Sequence, residues 1–165
     1  MLTSTNNFQN ENTFTIESKE DLILSFRGRD QKKLLLPIAL QFPIRIRSYL
    51  AWKESSGVYT YLIFKNPNWD LPRGVTFKRM AVGDSATGGL CGWCHSYGGN
   101  DEIGMLSAAM NSEVSCGYIL CHDLRCIEKI EELAALAGKN PEVAIHQLYE
   151  RIQLFFDNLS SYKPE

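Results

Sequence analysis

The 165-residue chain has no apolar run approaching the roughly 18–20 residues that a membrane-spanning helix requires, so no membrane partner is expected. It has no internal repeat and no low-complexity tract. It lacks an excess of positive charge: the net charge is −2 and the pI is near 5.9. Global attraction to nucleic acid is therefore weak, and an RNA contact would need a local basic patch. Met1 is followed by a polar stretch, Leu2 to Asn12, rich in Asn and Thr, rather than by the charged, apolar and small-residue order of an export signal. A cytoplasmic location is expected, where thiols stay reduced. Histidines number only three, and no Ser/His/Asp, Cys/His or paired-carboxylate constellation stands out, so an enzyme is not expected.

What is present is an ordinary globular balance, 44% hydrophobic and 22% charged, enough for one self-supporting domain. Residues 1–17 read as a flexible N-terminal segment, and 18–165 as a single domain. Ser18-Lys-Glu-Asp21 resembles a capping box opening a short helix, with Leu22, Ile23 and Phe26 apolar and Gly28 as its stop. Pro37 and Pro43 rule out a regular element across them. Ile44 to Lys53 alternates, Ser55-Ser-Gly57 turns, and Val58 to Lys65 is β-branched and aromatic, which predicts a hairpin. A third strand is expected over Gly74 to Ala81. Gly83 to Gly89 is a small, polar lead-in, and two strands flank Asn111-Ser112. From about His122 the period becomes helical. Gly138 ends that helix. Asn140-Pro141 opens another whose apolar stripe is Ile145, Leu148, Tyr149, Ile152, Phe155 and Leu159.

Five cysteines dominate the chemistry, an odd number that argues against a disulfide framework. Cys91 and Cys94 form a CxxC. Cys121 and Cys126 form a second close pair, with 26 residues between Cys94 and Cys121. Knuckle, hairpin, short cysteine pair and helix is the order of a treble-clef zinc finger, with the zinc subregion at about 88–137. The positive end of a helix suits a thiolate-rich centre. Four thiolates satisfy Zn²⁺, which prefers sulfur and tetrahedral geometry. Cys116 lies five residues from Cys121. On a strand that is about 16–17 Å, with side chains on opposite faces, so Cys116 is expected to be a small buried hydrophobe instead. His95, His122 and Asp123 lie nearby, and a mixed ligand set stays open. Their expected roles are hydrogen bonding to sulfur and, for Asp123, a first-turn acid.

Two other readings of Cys-Gly-Trp-Cys-His compete. A haem attachment would use Cys91, Cys94 and His95, with Met105 or Met110 as a distal ligand, and leaves Cys121 and Cys126 unexplained. A thiol oxidoreductase would need Cys91 exposed at a helix N-terminus, and His95-Ser-Tyr-Gly-Gly is a poor helix opening. For binding, Trp93 sits between the knuckle cysteines and either projects outward as an anchor or folds back onto the hairpin. Arg45, Arg47, Arg73, Lys78 and Arg79 could make a basic face. Solvated strand positions are the blander account of each one, as for the helical His146.

Gly89-Leu-Cys-Gly-Trp-Cys-His-Ser96 and Gly117-Tyr-Ile-Leu-Cys-His-Asp-Leu-Arg-Cys126 resemble the C-terminal treble-clef domain of the FusB-type proteins, which bind elongation factor G and confer fusidic acid resistance. Ser25-Phe26, Leu36-Pro37 and Tyr49-Leu-Ala-Trp52 are similar to its lead-in. The resemblance implies one structural zinc on Cys91, Cys94, Cys121 and Cys126. It also implies binding to elongation factor G, with release of the stalled factor from the ribosome. The family's N-terminal helical bundle is not expected, since the 90 residues before Cys91 read largely as strand. The expected fold is α+β: a small antiparallel sheet, a treble-clef zinc site and two C-terminal helices. Trp93, Lys78 and Arg79 are the candidate partner contacts, and a zinc-stabilised RNA-binding module is the alternative to factor binding.

Overall fold

The computed structural model describes residues 12–81 and 88–159 of the chain. Most of the 83–89 lead-in, like residues 1–11, lies outside them. The segment expected to be loose contains a strand, β1 (Thr13–Ile16), because Phe14 and Ile16 alternate inward while Thr15 faces out. Ser18 caps α1 (Lys19–Leu24) as expected, its hydroxyl accepting from Asp21 N at 3.1 Å. Gly28 does not stop that helix. The chain leaves it at Ser25, and Gly28–Gln31 forms a one-turn helix, α2. Between them lies a buried ion pair, Arg27 Nε to Asp30 Oδ2 at 2.7 Å. Arg27 Nη2 also donates to Ala109 O at 2.7 Å, tying this corner to the far end of the sheet.

The single strand expected over 44–53 is two, β2 (Ile44–Arg47) and β3 (Tyr49–Lys53). Ser48 separates them in the left-handed region, φ 77°. Its N–H donates to Asn12 O at 3.1 Å, and its hydroxyl meets the Tyr149 hydroxyl. These partners hold a bend that sends β2 to β1 and β3 to the main sheet. That sheet continues with β4 (Tyr59–Phe64) and β5 (Arg73–Arg79). A two-stranded knuckle follows, β6 (Gly89–Leu90) with β7 (Tyr97–Gly98). The sheet then closes with β8 (Ile103–Ala109) and β9 (Ser115–Cys121). It is antiparallel, in the order β3-β4-β5-β8-β9.

Two helices complete the chain, α3 (Cys126–Leu136) and α4 (Glu142–Asp157). Gly138, at φ 64°, ends the first, and Asn140 Oδ1 accepts from Glu142 N at 2.9 Å at the start of the second. The α4 stripe falls where expected: Leu148, Ile152, Phe155 and Leu159 are buried, joined by Phe156. Phe155 stacks on Phe77 and Phe156 on Phe64, at 5.3 and 6.1 Å between ring centroids. Burial of each such side chain contributes about 1.5–3 kcal/mol.

The main sheet is covered on one face and, over β4, on the other. One packs Leu62, Phe64, Val75 and Phe77 against α4 and the knuckle. The other packs Tyr61 and Ile63 against Phe14, Ile16, Leu22, Phe26 and Ile46. This explains why Thr60 to Phe64 is buried at every position rather than at alternate ones. The chain is an α+β domain, and among the described residues no helix is long and apolar enough to cross a membrane.

Candidate metal centre

The knuckle is built by its own backbone. Cys91 N donates to Ser96 O and His95 N to Cys91 O, both at 2.9 Å. The N–H groups of Trp93 and Cys94 point at Cys91 Sγ, at 3.4 and 3.5 Å. Gly88 (φ 86°) must be glycine, because a Cβ there would lie 2.2 Å from Gly98 O. Gly92 N donates to Ile119 O at 2.7 Å and fastens the knuckle to β9. Cys121 ends β9, and Cys126 is the first residue of α3. Tyr49 holds that bend from the opposite edge strand. Its hydroxyl donates to Leu124 O at 2.5 Å and accepts from Cys126 N at 3.1 Å. No signal in the sequence distinguishes Tyr49 from the other strand aromatics.

These elements bring Cys91, Cys94, Cys121 and Cys126 together, with all four sulfurs within 4.8 Å of one another. Cys91 Sγ lies 3.8 Å from Cys126 Sγ, and Cys94 Sγ 3.6 Å from Cys121 Sγ. A regular tetrahedron with Zn–S bonds of about 2.3 Å has edges of about 3.8 Å. None of the five cysteines is in a disulfide. Hydrogen bonds from the Cys121 and Cys126 sulfurs lower the Cys91 thiol to about 6 and lower Cys94 as well. Cys126 is raised well above the ordinary thiol value, chiefly by its sulfur hydrogen bonds with Cys121 and Cys91. Four crowded thiols thus share protons rather than all ionise, whereas one dication lets every sulfur bind as thiolate. Burial would lower the pKa of Lys129, one turn into α3, but hydrogen bonding to Cys121 and its charge raise it. The donor set fits Zn²⁺ and closes its coordination sphere, leaving no open position for substrate. The cofactor is one structural zinc ion.

The neighbouring candidates lie outside the cluster. His122 is buried, with Nδ1 3.2 Å from Asp101 O, so it serves a carbonyl rather than a sulfur. Burial, and then the charge of Arg79, lower its pKa. Asp123 Oδ1 accepts from Arg125 N at 3.0 Å and sits 3.7 Å from Lys129 Nζ, in the turn before α3 rather than in its first turn. His95 is exposed at φ 60°. Cys116 pairs across the sheet with Ala108, half-buried rather than buried, and away from the four sulfurs. Cys91 is fully buried and heads no helix, which removes both conditions of the oxidoreductase reading.

Trp93 takes the inward of its two placements and is 5% exposed, so it is not a surface anchor. Its ring meets Phe155 at 5.6 Å and Phe77 at 5.9 Å, and Arg151 Nη1 donates to its carbonyl at 2.7 Å. Of the candidate basic face, Arg73 and Arg47 take separate partners. Arg73 lies over the Trp69 ring at 3.9 Å, and Arg47 pairs with Glu131 at 3.3 Å. Lys78 and Arg79 are both exposed, but they alternate across β5: Lys78 stands opposite Ser107 and Arg79 opposite Leu106.

No curated protein and no solved structure matches the chain. A protein-family model does, over residues 21–162, which takes in both halves of the sulfur cluster and the elements that carry them. The chain belongs to the family of that model, the FBP C-terminal treble-clef zinc-finger.

Proposed function

We propose that this chain is a non-enzymatic, cytoplasmic zinc protein that binds translation elongation factor G and modulates its release from the ribosome. In this reading Cys91, Cys94, Cys121 and Cys126 are the four zinc ligands, and the metal is scaffolding for a contact surface. The observation that carries it is the closed four-sulfur cluster in a chain whose family match runs from residue 21 to 162. A saturated metal offers no open coordination position to a substrate, which supports an interaction role for the fold. The resemblance to the FusB-type proteins supplies the partner.

With Trp93 inside, the contact surface is sought in exposed residues around the knuckle. Leu90, Tyr97 and Ile119 are 50%, 81% and 47% exposed, and Leu90 and Tyr97 are cross-strand partners. Lys78 and Arg79 remain candidate charged contacts on either side of β5. The test is retention of purified elongation factor G by the immobilised, zinc-loaded chain, with a Tyr97→Ala, Ile119→Ala variant beside it. Capture of the factor, weakened at least tenfold by the double substitution, is the expected result. Absence of capture with one zinc per chain verified would refute the reading.

A further inference from the structure

The outer face of the main sheet is only partly covered. The β1–β2 pair and α1 close it over β4, where Tyr61 and Ile63 are buried. Beyond α2 the cover stops, and a hollow of about 620 Å³ opens over β5, β8 and β9. Its size falls in the range of small-molecule sites. Strand alternation puts Thr76 and Lys78 on this face and Val75 and Phe77 on the opposite one with α4. The hollow is therefore separate from the zinc centre.

Three cations surround it: Lys78 from β5, and Arg29 and Lys33 from α2 and the turn after it. Among the described residues none of the three makes an ion pair. The single carboxylate in the lining is Asp30, which is buried and bonded to Arg27 at 2.7 Å. Lys33 Nζ instead lies over the Tyr59 ring, 5.6 Å from its centroid. Tyr59, Met80 and Met105 supply an aromatic face and two polarisable thioethers beside the charges, and the Ser107 and Ser115 hydroxyls supply hydrogen-bonding groups. In a chain of net charge −2, three cations converging on one hollow is a local reversal of sign.

We propose that this hollow binds a phosphate-bearing nucleotide, either free or as the terminal unit of an RNA chain. Arg29, Lys33 and Lys78 hold the phosphate, Arg29 with the forked geometry that suits it. The base lies against Tyr59 and the methionine side chains, since stacking on an aromatic ring tolerates any base. An acidic peptide would satisfy the charges but would leave this apolar floor unused. The site uses neither the knuckle nor the metal. Lys78 alone is shared with the candidate factor contacts, so Arg29 and the phosphate probes read the site independently of factor binding.

The test uses the full-length, zinc-loaded chain in low-salt buffer, titrated by calorimetry and by amide NMR. The probes are adenosine 5′-monophosphate, adenosine, a 5′-phosphorylated short RNA and a poly-glutamate peptide. The monophosphate is expected to bind saturably and at least tenfold more tightly than adenosine. It should shift the amides of Lys78, Ser107 and Gly117 and weaken as salt is raised. Lys78→Glu should cost at least tenfold, and Arg29→Glu with Lys78→Glu should abolish binding. Lys139→Glu, in the exposed link between α3 and α4, should change nothing. Binding of the phosphorylated RNA without the free nucleotide would support the site and assign its ligand to an RNA end. The proposal is overturned if neither phosphate probe saturates, if adenosine binds as well as its phosphate, or if the charge reversals leave affinity unchanged. Preference for poly-glutamate at the same amides would equally overturn it.

Discussion

Stripping the zinc should cost this protein a large share of its stability. Cys91, Cys121 and Cys126 are fully buried and sit in the same core as Phe77, Leu124 and Phe155. They join the knuckle, the end of β9 and the start of α3, and the Gly92 N to Ile119 O hydrogen bond adds a second tie between the first two. Structural zinc binds with an apparent free energy of about 10–16 kcal/mol in small peptides near neutral pH. A domain has only about 5–15 kcal/mol in total. Here the second core, around Phe14, Leu22, Phe26 and Tyr61, needs no metal, so only part of that energy should be lost. A loss of about 4 kcal/mol would lower the melting temperature of a chain this size by roughly 8–16 °C. The assay is elemental analysis together with thermal unfolding by circular dichroism, before and after chelation, on the wild type, Cys126→Ser and Cys116→Ser. One zinc per chain is expected in the wild type and in Cys116→Ser. Loss of zinc and of thermal stability is expected in Cys126→Ser. The pH dependence has a definite sign. Without metal, the lowered Cys91 and Cys94 thiols favour the fold as pH rises, while the raised Cys121 and Cys126 thiols oppose it. With zinc all four sulfurs bind as thiolates, so the loaded protein loses stability as pH falls. Zinc release on acidification runs the same way, because protons compete for the ligands. An unchanged melting temperature after verified zinc removal would refute the reasoning, as would full zinc content in Cys126→Ser.

Two further predictions concern the protein core. Trp93→Ala should destabilise by about 3–5 kcal/mol in urea unfolding, the range for emptying a large aromatic site, with Trp93→Phe keeping much of the Phe77 and Phe155 packing. A near-neutral Trp93→Ala would mean that the side chain lies outside. Asp30→Ala should cost about 3–5 kcal/mol, since the Arg27 side chain is 2% exposed and would lose its carboxylate partner at 2.7 Å. The double variant Arg27→Met, Asp30→Leu should recover most of that loss, because burial outweighs Arg27 and raises the Asp30 carboxyl above its ordinary value. A double variant as unstable as Asp30→Ala would show the pair to be a net stabiliser instead.

Features set by neighbours in the chain were legible in the sequence, because their interactions span only a few residues. The capping serine at 18, the Asn140-Pro141 helix start, the Gly138 stop and the α4 stripe are of this kind. The zinc centre was legible for a different reason: each cysteine pair is close in sequence, although the pairs meet across 27 and 35 residues through the knuckle, β8 and β9. Other features depended on groups far along the chain. Ser48 breaks a strand because Asn12 and Tyr149 are there to hold its bend. The Thr13–Ile16 strand forms because Ile44–Arg47 is freed to pair with it. Trp93 turns inward because α4 brings Phe155 and Arg151 to it, 58 residues on in the case of Arg151. Lys78 and Arg79, adjacent in sequence, part company because a strand alternates its faces, and only the packing of α4 and α2 gives each face its surroundings. The sequence by itself singled out the four cysteines, and the structure put the neighbouring histidines and Asp123 outside their cluster. Tertiary structure alone decided which of the remaining residues face solvent, since a residue's exposure depends on what other segments lay over it.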